Sequence, residues 1–69
     1  MLTEKDKMII KYLKEHGETE FKILHKEFYN HATPQYCRVM LARLIKWDLV
    51  KVKKCKYDSR INIYYVEGL

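Results

Sequence analysis

Gln35, Arg38, Val39, Ala42 and Arg43, with Tyr36 among them, carry the side-chain chemistry that the rest of this chain has to place. A glutamine amide presents a donor beside an acceptor, which matches the N6 and N7 edge of an adenine. An arginine fork matches O6 and N7 of a guanine. Val39 and Ala42 are apolar groups of the kind that meets a thymine methyl, and Tyr36 suits a phosphate or a base. Gln35, Arg38, Ala42, Arg43 and Lys46 fall on or near one side of a helix, while Cys37, Leu41, Leu44 and Ile45 recur on the other. One face is thus available for a core and one for a partner.

The elements that must hold this face can be read from their ends. Thr33 is a helix cap and Pro34 a first helical residue, because proline lacks the N–H that a helix start leaves unpaired. A helix is expected over residues 34–47, running through Asp48 into a β-prone stretch almost without a loop. Upstream, Thr3 and Asp6 form a capping box that opens a helix of roughly 13 residues ending near His16 and Gly17. Its inward stripe is Ile9, Tyr12, Leu13 and His16, with Met8 at the flank. Asp6, Glu15 and Glu27 are taken to lie on solvated faces paired with lysines.

Thr19 sits in a short segment that suits a small extra strand, followed by a helix from Glu20 or Phe21 to Tyr29 lined by Phe21, Leu24, His25 and Phe28. The turn from Asn30 to Thr33 follows, with Asn30 suited to the left-handed conformation that ends a helix. After Asp48, strands are expected from Leu49 to about Lys56 and from Ile61 to Val66, joined by the turn Tyr57-Asp58-Ser59-Arg60. Ile61, Ile63 and Tyr65 are assigned to the face that packs on the helices.

Charge is distributed unevenly along the chain. Residues 1–32 hold six lysines and six acids, so the entire net charge of +5 lies between residues 33 and 69. A field concentrated in this way favours a polyanionic partner such as nucleic acid. With 69 residues the chain reads as one domain, spanning 1–69, with little room for an enclosed active site. Enzymatic chemistry finds little support: there is no Gly-rich phosphate loop, and Ser59 is the only serine. His16, His25, His31, Cys37 and Cys55 lack the short spacings of zinc ligands, so neither a metal nor another cofactor is expected. The two cysteines read as thiols, with a bridge as the alternative in a hyperthermophile. No apolar run is long enough for a bilayer and no leader-like segment opens the chain, which points to an intracellular, cytoplasmic protein without membrane association.

Three helices and a hairpin in this order resemble the winged helix-turn-helix domain of small transcription regulators, over roughly Leu2 to Val66. The run Cys37-Arg38-Val39-Met40-Leu41-Ala42-Arg43-Leu44-Ile45-Lys46-Trp47-Asp48-Leu49-Val50 is similar to that family's recognition helix and first wing strand. The family usually has glycine where this chain has Asp48. The Lys and Tyr content looks like that of small regulators from archaea, their viruses and plasmids. The resemblance implies an α+β winged helix-turn-helix fold and a DNA-binding transcription regulator, more readily a repressor than an activator.

In that reading Gln35, Tyr36, Arg38, Val39, Ala42 and Arg43 read bases in the major groove. Thr33, Lys46, Lys53, Lys54, Lys56 and Arg60 hold the backbone or enter the minor groove through the wing, over residues 49–66, and Lys22 and Lys26 are weaker backbone candidates. A homodimer on a palindromic or repeated site is expected, since one small module gives limited affinity and specificity. No small-molecule effector is inferred. The alternatives are a winged-helix protein-interaction module, for which Trp47 at the helix end is the residue to watch, and an architectural or RNA-binding protein without base readout.

Overall fold

The computed structural model describes residues 2–67. Helix α1 spans Glu4–His16, strand β1 Thr19–Glu20, α2 Phe21–Phe28, α3 Pro34–Lys46, β2 Lys51–Lys54 and β3 Asn62–Tyr65. The architecture is α+β: three helices with a three-stranded antiparallel sheet in the order β1-β3-β2. The short strand expected near Thr19 is present and pairs with β3, Thr19 opposite Tyr64 and Glu20 opposite Ile63.

Local chemistry sets the helix ends. At the start of α1, Asp6 N–H donates to Thr3 Oγ1 at 3.1 Å and Thr3 N–H donates to Asp6 Oδ2 at 3.0 Å, closing the capping box on two otherwise unpaired amides. Gly17 ends the helix at φ +79°, a conformation that a Cβ disfavours. Thr33 caps α3 by accepting from Tyr36 N–H at 3.2 Å, and Pro34 occupies the first turn. The short connection between α2 and α3 is closed by Ala32 N–H donating to Tyr29 C=O and by His25 Nε2 lying 2.9 Å from Ala32 C=O.

The core joins Ile9 and Leu13 of α1, Leu24 of α2, Cys37, Leu41 and Leu44 of α3, and Val50 and Tyr64 of the wing. Cys37, Leu41 and Leu44 are fully buried and Ile45 is half-buried, so the inner face of α3 is the one its spacing indicates. Both cysteines are free thiols, and burial pushes the Cys37 thiol up to about 11.

Several expectations are corrected. The strands are shorter than their apolar alternation suggests, four residues each in β2 and β3. The buried residue of β3 is Tyr64, on the face opposite to Ile61, Ile63 and Tyr65. The cause is β1: Thr19, itself buried, pairs across from Tyr64, and the Phe21 ring that follows β1 lies 6.3 Å from the Tyr64 ring, which turns this row inward. Asn30 does not take the left-handed conformation; among the described non-glycine residues only Asp48 has positive φ, at 62°. His16 is exposed and stacks on Tyr12 at 4.2 Å instead of entering the core. Asp6, expected on a solvated face, is fully buried.

Candidate nucleic-acid interface

Helix α3 presents Gln35, Arg38, Val39, Ala42 and Lys46 as exposed side chains, with Thr33 and Tyr36 exposed at its start. Tyr36 is fixed edge-on against the buried Tyr29 ring, with centroids 5.7 Å apart. Arg38 has no acidic partner among the described residues. Its guanidinium lies over the Phe21 ring, 4.6 Å from the centroid, which orients the fork while leaving its hydrogen-bond donors free.

Arg43 departs from this set. Its Nη1 lies 3.5 Å from Oδ2 of the buried Asp6 and 3.5 Å from Met40 Sδ, and its guanidinium covers the Trp47 ring at 4.8 Å. A buried carboxylate holds a cation more strongly than solvent does, so Arg43 turns toward α1 and braces α3 instead of projecting from its outer face. Trp47, 42% exposed, is the outer plate of this brace. The other carboxylate oxygen, Asp6 Oδ1, and the Tyr29 hydroxyl are both buried without hydrogen-bond partners in the described structure. Burial, then the Asp6 charge, pushes the Tyr29 phenol up to about 12.

The wing cations are engaged to different degrees. Lys53 Nζ pairs with Glu18 Oε2 and lies 5.4 Å from the Tyr65 ring centroid, and the hydrogen bond to Glu18 raises its pKa. Lys54 Nζ donates to Asn62 Oδ1 at 3.0 Å, a neutral partner that leaves its charge uncompensated. Lys56 is exposed and has no partner among the described residues. Asp58 binds Arg60 through one edge of the guanidinium, with Nε donating to Oδ1 and Nη2 to Oδ2 each at 3.1 Å, and also accepts Arg60 N–H at 3.0 Å. The side-chain bonds to Arg60, followed by its backbone bond, hold the Asp58 carboxyl below its ordinary range.

Residues far apart in sequence meet in a groove of about 320 Å³. Lys22 at the start of α2, Arg38 of α3 and Arg60 and Asn62 of the wing line it, with Glu20 and Phe21. No side chain caps the N-terminus of α2, so its amides add partial positive charge beside these cations. Lys26, one turn further along α2, is exposed but does not line this groove. Spacing alone gave no sign of the grouping, because β1 and β3 create it by bringing the wing alongside α2. Sequence reasoning also missed Glu18 as the partner of Lys53 and the exposed Tyr57 at the wing tip.

No protein-family model and no curated protein sequence matches the chain. Solved structures do. A MepR-like protein complexed with pseudoligands is 31% identical and superposes with a TM-score of 0.85 over 97% of this chain and 46% of its own. This chain is a winged helix-turn-helix domain. The winged helix-turn-helix chain is also similar to ZitR of Lactococcus lactis, described as a zinc-responsive MarR family member, with 16% identity and a TM-score of 0.82 over 99% of this chain and 45% of that one. It resembles the adhesin competence repressor AdcR of Streptococcus pyogenes as well, with 18% identity and a TM-score of 0.79 over 97% and 48%. The chain spans less than half of each of these three proteins. Among the described residues no group of three His, Cys, Asp or Glu side chains comes together to hold a metal, and no helix is long and apolar enough to cross a membrane.

Proposed function

We propose that this domain binds double-stranded DNA sequence-specifically as a transcription regulator, with α3 in the major groove and the wing on the flanking backbone or minor groove. The observation that carries this reading is the meeting of Lys22, Arg38 and Arg60 in one groove beside the exposed face of α3. Cations from three elements around one groove suit a duplex, with Lys22 and the free edge of Arg60 toward phosphates and Arg38 toward the bases. A dispersed lysine surface would serve only solubility. Gln35 and Arg38 are the base readers of choice, because their polar ends are exposed and unpaired by acids. Val39 and Ala42 supply apolar contact. Thr33, Tyr36, Lys46, Lys54 and Lys56 surround them as backbone contacts, with Lys53 secondary because Glu18 already neutralises it and Arg60 offering only the guanidinium edge that Asp58 leaves free.

A homodimer on paired half-sites is part of the proposal, as is action by blocking a promoter inside the cell. Support comes from the small size of the reading surface: one helix and one wing contact too few bases to select a genomic site alone. Fluorescence anisotropy with selected and random duplexes tests the reading. Tighter binding to selected duplexes, lost in Arg38→Ala, is expected. Equal binding to all duplexes, or preference for RNA, would replace it with an architectural or RNA-binding role. Absence of binding at low salt would leave a protein-interaction module.

A further inference from the structure

Tyr57 at the wing tip is used by neither the core nor the cationic groove. It is 90% exposed, more than any other large apolar side chain among the described residues. The turn that carries it is nevertheless well tied. Cys55 N–H donates to Ile61 C=O at 2.8 Å, Ile61 N–H donates to Asp58 C=O at 3.0 Å, and the Asp58 carboxylate takes both the backbone and the guanidinium of Arg60. The ring is therefore held away from the protein on a braced tip. In the chain it follows Lys56 and precedes the Asp58-bound Arg60 by three residues.

We propose that Tyr57 is a second prong of the wing in the DNA minor groove, acting beside Arg60 and setting a preference for A·T flanks. The inference rests on the duplex-binding reading above. The walls of that groove are deoxyribose C–H surfaces with phosphate oxygens at the rim. A phenol has a matching order of parts, an apolar ring for the sugar and a hydroxyl that donates to a phosphate. A·T tracts have a narrower minor groove with a stronger negative potential, which draws in Lys56 and the guanidinium edge of Arg60 that Asp58 leaves free, and brings the sugar wall onto the ring. Lys56 supplies attraction to any backbone. The ring adds sensitivity to groove width, which a flexible ammonium lacks.

The test measures binding of the full chain to a labelled A-tract duplex and to a labelled alternating G·C duplex. Four proteins are compared: the unsubstituted chain, Tyr57→Phe, Tyr57→Ala and Arg60→Ala. The exposure of Tyr57 means its variants should keep the thermal midpoint of the parent. The parent is expected to prefer the A-tract. Tyr57→Ala should weaken A-tract binding roughly three- to ten-fold, the range of an aromatic contact, with a smaller change on G·C. Tyr57→Phe should retain most of the preference, and Arg60→Ala should lower it as well. If Tyr57→Ala matches a duplex-binding parent on both probes, the prong is overturned while the duplex reading stands. If the parent binds neither duplex at low salt, both are overturned.

Discussion

Arg38 and Arg43 lie five positions apart on one helix and do different work, because one faces an aromatic ring and the other a buried carboxylate. Arg38→Ala is expected to reduce discrimination between the preferred base pair and its competitors by about 1–3 kcal/mol, measured as a ratio of affinities, with little change in stability. Arg43→Ala should do the reverse. It strips the cation from the fully buried Asp6 and should lower unfolding free energy by roughly 1–3 kcal/mol in a denaturant titration. Nothing in the sequence separates the two arginines. Asp6 is legible as a capping residue from its place after Thr3, but its burial depends on a side chain 37 positions away. Buried Cys37 and Tyr29 make a further prediction. Both groups are pushed up, to about 11 and about 12. Their protonated forms are favoured by folding, so their contribution is whole below the unfolded values of 9.0 and 10.0 and is lost as pH rises through the folded ones. Thermal midpoints measured from pH 8 upward should therefore decline from about pH 9, and Cys37→Ala should remove the earlier part of the decline.

At the scale of elements, helix ends were the most legible features, because Thr3, Gly17, Thr33 and Pro34 act on amides and dihedrals within a few residues. The inner face of α3 followed from spacing for the same reason. The wing was less legible. Both of its faces alternate apolar residues, and the choice between them falls to Thr19, a member of a two-residue strand that carries almost no signal of its own. Asp48 is the local cost of passing from α3 to the wing: it holds φ 62°, where a side chain is disfavoured, and its carboxylate pairs with Lys51 at the surface. Glycine fits this conformation better, and the exposed ion pair contributes little. Asp48→Gly is expected to stabilise the domain by about 0.5–1 kcal/mol, a rise of a few degrees in Tm, whereas Asp48→Val should lower it.

The whole molecule places all its charge excess in the second half of the chain, and folding gathers part of it with Lys22 into one groove. The excess was legible as a sum. Its internal neutralisation was not, since Lys53 with Glu18 and Arg60 with Asp58 depend on the sheet and the wing turn. If about four cations per domain meet phosphates, the logarithm of affinity should fall against the logarithm of salt concentration with a slope of roughly −3 to −4 for each domain bound, and about twice that for a dimer. A flat dependence would remove the groove from the interface. The central claim, that α3 and the wing together read duplex DNA, is tested most directly by selecting bound sites from a pool of random duplexes. The expected result is a defined sequence, read as paired half-sites about one helical turn apart, that Arg38→Ala no longer enriches. Recovery of a pool indistinguishable from the input, or enrichment unchanged in Arg38→Ala, would contradict it.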